Sequence, residues 1–229
     1  MGRITQGILG GFSGKVGDFV GASWRGINYM RAFPQHIHNP QSEKQVAQRT
    51  KFKVTIQFLR PLNDFLRTGF KMYAQNRSPL NAATSYTLTN AIKGTSSLNY
   101  AVDQTKVLVS RGELTPAANA EANTGPNDFQ VNFHWSNNSG TGSATSTDKA
   151  LLLLLNPAKA EAFSVTDGNP RSEEGQEIFA PADWLGDAVY AYLGFISQNG
   201  TEVANSVYLG TCEIRKSSTC GKHQYHKNS

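Results

Sequence analysis

Hydrophobic spacing changes twice along this chain. From residue 104 onward apolar and polar positions tend to alternate, the period of a strand with one buried face. Phe129, Val131, Phe133 and Trp135 alternate with Gln130, Asn132 and His134. Lys149 to Asn156 is instead a continuous apolar run, which predicts a strand covered on both faces. Further short strands are expected at 106–110, 162–166, 177–180, 188–197 and 202–211. Asn199-Gly200, between the last two, is the strongest hairpin signal in the chain, because tight turns need positive φ and this pair tolerates it. Seven short strands with polar loops between them predict an antiparallel β-sandwich of immunoglobulin-like or fibronectin-like type. The stretch Asp187 to Tyr192 fits the penultimate strand of such folds, in which a Tyr hydroxyl bonds back to the backbone. Phe133, Trp135, Leu153, Tyr190 and Tyr192 are the expected core or near-core.

Between residues 42 and 95 the period is helical. Ser42 followed by Gln45 is a capping-box start, and Glu43 in the first turn suits the helix dipole. Val46, Phe52, Ile56 and Leu59 are expected to face the core, with Lys44, Gln48, Lys51 and Thr55 opposite. Pro61 predicts a kink or a second helix start, and Leu62, Phe65, Leu66, Phe70 and Tyr73 continue the apolar face. Ser78-Pro79 opens another helix, expected to run to about Ile92 with Gly94 just past its end. Residues 7–26 follow neither period. Seven glycines stand there among Phe12, Val16, Phe19, Val20 and Trp24. A β-hairpin or extended arm is expected, with Phe19-Val20 and Trp24 to Met30 extended, too poor in side chains to fold alone. The whole reads as α+β: a Gly-rich basic arm or hairpin at 1–41, two or three helices at 42–95, a seven-stranded sandwich at 104–214 and a basic flexible tail at 215–229.

Charge sharpens this division. The net +5 conceals twelve Lys/Arg against three Asp/Glu in residues 1–77, six against fourteen in 78–214, and four against none after that. A basic front on an acidic body suits docking onto something anionic, or head-to-tail contact between copies. Hydrophobic residues are 38% and charged residues 17%, which excludes disorder by charge. No apolar run approaches the ~20 residues of a membrane span. The N-terminus lacks an apolar leader core, and Cys212 and Cys220 alone build no disulfide framework. Cytoplasmic synthesis without a signal peptide is expected.

Several motifs invite chemistry. Gly10-Gly-Phe-Ser-Gly14-Lys15 resembles a phosphate loop but has three residues between its glycines where four are needed, and Val16 where Ser or Thr would hold magnesium. Cys212, Cys220, His223 and His226 carry zinc-ligand chemistry at spacings unlike the usual fingers, in a tail without packing residues. His36 and His38 flank Ile37 in an extended loop and read as surface residues. Glu173 and Glu174 fall in the polar run from Asn169 to Gln176, with Glu177 directly after it, and read as a solvated turn. No Gly-x-Ser-x-Gly elbow occurs. No enzyme activity, cofactor, metal or small-molecule substrate is therefore expected. The strongest contact candidates are the interleaved aromatic and basic residues Lys15, Trp24, Arg25, Arg31, Arg49, Lys51 and Lys53, with Tyr29 beside them. That mixture suits subunit contacts or the stacking and phosphate neutralisation of nucleic-acid binding.

The segments Gly10 to Gly17, Val20-Gly21, Trp24 to Gly26, Met30-Arg31, Asn39-Pro40 and Gln45 to Phe52 together resemble an uncharacterised domain family common in Bacteroidota genomes. The resemblance is specific over about residues 2–95 and looser beyond, where Ser206 to Gly210 matches best. The family brings no established activity. Its Asn-Pro-x-Ser-x-x-Gln-x-x-Gln-Arg-x-x-Phe stretch, residues 39–52, is similar to segments of phage-encoded proteins. The expected function is a structural or assembly protein, a phage capsid, tail or injection-machine component that self-associates through its basic arm as a homo-oligomer. The alternatives are a nucleic-acid-binding module and a surface adhesion domain.

Overall fold

The computed structural model describes residues 2–4, 7, 10–24, 26–34 and 41–216. The protein is α+β, with thirteen strands and one long helix among those residues, and every ladder between strands is antiparallel. It divides into two compact units, Met1–Ser42 and Glu43–Ser229.

The first unit is a four-stranded meander, β1 (Arg3–Ile4), β2 (Phe12–Val16), β3 (Phe19–Trp24) and β4 (Ile27–Ala32), in that spatial order. Gly17 and Gly26 sit at the β2–β3 and β3–β4 turns with φ of 55° and 82°, a region other residues adopt at a cost. The turn at Gly26 splits the piece expected to run extended from Trp24 to Met30. Phe12 to Lys15 lie within β2, so most of the phosphate-loop look-alike belongs to a sheet strand, and the Gly10 N–H donates to the Gly7 carbonyl at 2.9 Å.

The second unit begins with α1 (Glu43–Leu59), directly after Ser42. Pro61 ends α1 in a 3₁₀ turn over Arg60–Leu62, and α2 (Asn63–Gly69) follows. In α3 (Pro79–Asn90) the Ser78 hydroxyl caps the helix by accepting from the Asn81 N–H at 3.2 Å. The helix stops two residues short of Ile92, because Ile92-Lys93 (β5) pair with Ala101-Val102 (β6). The β body comprises β7 (Ala118–Thr124), β8 (Gln130–Ser136), β9 (Lys149–Asn156), β10 (Glu161–Val165), β11 (Gly175–Phe179), β12 (Ala188–Ile196) and β13 (Val207–Glu213). These form a three-stranded sheet, order β11-β8-β7, and a four-stranded sheet, order β10-β9-β12-β13.

Strand β9 explains its own sequence. Ala150, Leu152 and Leu154 point into a core shared with Phe133, Trp135, Trp184 and Phe195. Leu151, Leu153 and Leu155 point the other way, into a core shared with Leu59, Leu66, Phe70, Ala83 and Tyr192. A strand with helices on one face and a second sheet on the other has no solvent side, so it carries no alternation.

Some expectations change. Lys106 to Ser110 form no strand; Val107 and Val109 are buried, and the Ser206 hydroxyl accepts from the Val109 N–H at 2.9 Å in place of a ladder partner. The real strand of that region is β7, missed because Ala-Asn-Ala-Glu-Ala-Asn-Thr holds no large apolar residue. The face of α1 is rotated by one position. Thr55, expected outward, is fully buried with its hydroxyl donating to the Lys51 carbonyl at 2.8 Å, whereas Phe52 is 50% exposed. The hydroxyl of Tyr192 does donate to backbone, but to Gln104 (3.4 Å), ahead of the β body.

Candidate functional site

The first unit carries the greatest concentration of exposed apolar side chains. Ile4, Val16, Phe19, Trp24, Ile27, Tyr29, Met30 and Phe33 are all 40% exposed or more, and Gly21 alone among its described residues is buried. The ladder registers sort these side chains, because paired residues share a face and neighbours along a strand alternate. Ile4 pairs with Phe12, Val16 with Phe19 and Ala32, and Gly14 with Gly21 and Met30. One face therefore displays Ile4, Phe12, Val16, Phe19, Met30 and Ala32, with Ser23 and Asn28 at one end. No charged residue lies on it. Gly21 is required here, since a Cβ would collide with the Phe12 carbonyl and ring.

The opposite face has another chemistry. Arg3 pairs with Ser13, Lys15 with Val20 and Arg31, Ala22 with Tyr29, and Trp24 with Ile27. It displays three cations and two aromatic rings. Phe33 extends the same parity beyond β4, and the Lys15 ammonium sits 3.9 Å from its ring centroid. Trp24, Ile27 and Tyr29 line an open cleft of about 360 Å³. The only carboxylate in residues 1–42 is Asp18, in a turn.

Of the residues singled out in the sequence, the structure brings Lys15, Trp24 and Arg31 onto this one face. Arg25 lies outside the described residues. Arg49, Lys51 and Lys53 belong to α1 of the second unit; Lys51 is half-buried with its ammonium 4.8 Å from the Tyr100 ring centroid, and Lys53 is exposed. Arg3 and Phe33 were not singled out. The signal for Phe33 was parity: once turns are placed at Gly17-Asp18 and Gly26, residue pairing fixes which side chains share a face, whereas Arg3 joins that face through the β1–β2 register.

The remaining motifs fall elsewhere. Cys212 is buried, its thiol 3.5 Å from the Ala122 carbonyl, and burial pushes the thiol pKa up. Cys220, His223 and His226, like His36 and His38, lie outside the described residues. Among the described residues no three His, Cys, Asp or Glu side chains are grouped to hold a metal ion. No described helix is long and apolar enough to cross a membrane. Gln130, Asn132, His134, Glu174 and Glu177 line an open cleft of about 540 Å³ on the three-stranded sheet. Two of its three carboxylates are engaged: Glu174 accepts from the Asn137 N–H at 3.0 Å and Glu177 from the Gln130 amide, while Glu173 completes the lining.

The loop read as solvated contains the most buried charge among the described residues. Arg171 is 0% exposed and faces Asp148, 1% exposed, at 3.2 Å. Its guanidinium also donates to the Thr115 and Pro116 carbonyls and to the Asn138 amide oxygen, and lies 3.8 Å from the Phe195 ring centroid. Burial pulls its pKa below the ordinary arginine value, and Asp148 opposes that pull. The Arg171 carbonyl accepts from the Trp135 indole at 2.9 Å, which ties both sheets to one loop.

Comparison with known families decides membership. The model of a family of unknown function, DUF6266, matches residues 11–210. The chain belongs to DUF6266. A family without assigned activity was expected from the N-terminal third; the DUF6266 match runs on through the β body. No curated protein matches this DUF6266 chain. Among solved structures it is similar to a family 76 glycoside hydrolase from a bovine Bacteroides thetaiotaomicron strain, at 8% identity and a TM-score of 0.36, over 44% of this chain and 21% of that one. It is also similar to the fn3 domain of the human collagen alpha-1(XX) chain, at 12% identity and a TM-score of 0.33, over 47% of this chain and 90% of that one. This DUF6266 chain thus spans about a fifth of the hydrolase.

Proposed function

We propose that this protein is a non-enzymatic assembly subunit, of the kind that builds a virion or injection machine, and that it self-associates through its N-terminal sheet. The observation that carries this reading is the uncharged face of Ile4, Phe12, Val16, Phe19 and Met30. A sheet that is apolar on one face must cover that face with another layer. Exposed apolar patches of this kind mark interaction sites. A second copy suits the face, because an isologous contact there opposes no like charges, whereas the face holding Arg3, Lys15 and Arg31 would repel itself. Strand β4 adds an unpaired edge of six exposed residues.

Sedimentation velocity across a concentration series tests this. The wild type is expected to gain mass with concentration. Phe19→Glu and Met30→Glu should hold it monomeric, and Lys15→Glu, on the other face, should not. A wild type that stays monomeric at every concentration sinks the reading.

We further read the β body as an immunoglobulin-like or fibronectin-like sandwich with helices added outside one sheet. The strand orders support this: β7, β8 and β11 stand where such folds place A, B and E, and β9, β10, β12 and β13 where they place C, C′, F and G. An experimental structure with another order would overturn it.

A further inference from the structure

We infer that the second face of the N-terminal sheet, the one holding Arg3, Lys15, Trp24, Tyr29 and Arg31, is a binding platform for single-stranded nucleic acid. Two features on one surface point to that class of ligand. The first is charge: three cations share a face without a carboxylate. The second is flat aromatic area beside them, with Trp24 62% and Tyr29 46% exposed. Phosphates take the cations, and unpaired bases have π-faces that stack on exposed rings whatever their sequence. An acidic protein surface would use the cations and leave the rings without a match. Duplex DNA would do the same, because its bases are already stacked.

The geometry matches an extended strand. Trp24 and Tyr29 lie diagonally across β3 and β4, since Trp24 pairs with Ile27 and Ala22 with Tyr29. Diagonal neighbours on a sheet face stand roughly 7–8 Å apart, within reach of adjacent bases. Arg31 follows Tyr29 on the same face of β4, about 7 Å further along. Lys15 lies one strand beyond, past Val20. Trp24 and Tyr29 stand toward one end of the face and Lys15 and Arg31 toward the other, which gives bases and backbone separate seats. The platform uses the face opposite the one assigned above to self-association, so both contacts can form together.

The test is fluorescence anisotropy of a labelled dT20 oligonucleotide titrated with the full chain between 50 and 300 mM salt. Binding is expected at low salt, falling with a log–log slope near −2, since single strands give about −0.7 per neutralised phosphate. Lys15→Gln and Arg31→Gln should each flatten that slope by about 0.7. Trp24→Ala should weaken binding by about tenfold or more without changing the slope, and Trp24→Phe should restore most of it. Heparin, a polyanion without bases, should be indifferent to Trp24→Ala. The idea is overturned by absence of binding at 50 mM salt, or by a slope that Lys15→Gln and Arg31→Gln leave intact. Indifference of dT20 affinity to Trp24→Ala would reduce the face to a general polyanion patch and overturn it equally. So would loss of self-association in Lys15→Gln, which would assign the face to protein.

Discussion

A single arginine fastens the loops of the β body together. Arg171 has its hydrogen bonds made and a buried counter-charge, which is the condition under which a buried pair is tolerated. Removing one partner strands the other: Arg171→Met should cost about 3–5 kcal/mol by leaving Asp148 buried and unpaired. Urea unfolding would measure it, and Arg171→Met with Asp148→Leu should be less damaging than Arg171→Met alone. Tyr192 makes a second prediction at this scale. Burial first, and then Tyr208 and Tyr190, raise its phenol pKa above the ordinary tyrosine value. The neutral form is favoured in the folded state, so its contribution is fully present below pH ~10 and declines as pH climbs past that value. Tyr192→Phe should therefore flatten the alkaline loss of stability seen by circular dichroism. An unchanged alkaline limb would refute this.

Elements were legible where side chains were large. β8 and β9 declared themselves by Phe133, Trp135 and the run of leucines, and α3 by Ser78-Pro79. β7 was illegible because small residues fill it, and 106–110 misled because buried valines in irregular backbone look like a strand. The α1 register failed for a related reason. A buried threonine can satisfy its hydroxyl inside the helix, so Thr55 passes for a surface residue. Leu59→Ala should cost about 2–5 kcal/mol and Phe52→Ala less than about 1 kcal/mol in thermal or urea unfolding. Equal costs would return the helix to the face read from its sequence. In the candidate site, residue types were legible before their arrangement. Lys15, Trp24 and Arg31 stood out as basic and aromatic, but only strand pairing shows that they share a face and that Ile4, Val16, Phe19 and Met30 occupy the other.

At the scale of the molecule, the N-terminal sheet is the place to look for function. Four strands of up to six residues offer a face of roughly 400 Å². Two such faces pressed together bury roughly 800 Å² in all, below the ~1,200–2,000 Å² of standard specific interfaces. Self-association through this sheet alone should be weak and concentration-dependent, with a midpoint in the micromolar range in the sedimentation series; nanomolar dimerisation would call for a larger contact. The β body follows a different logic, set by β9. Because that strand is the common wall of two cores, stripping away the layer on either side bares one of its faces. A fragment trimmed to the β body at residue 104 would turn Leu151, Leu153, Leu155 and Tyr192 out to water as one apolar slab. Here the helices serve as the roof of one sheet, and the segment that folds alone is longer than the pattern of strands suggests.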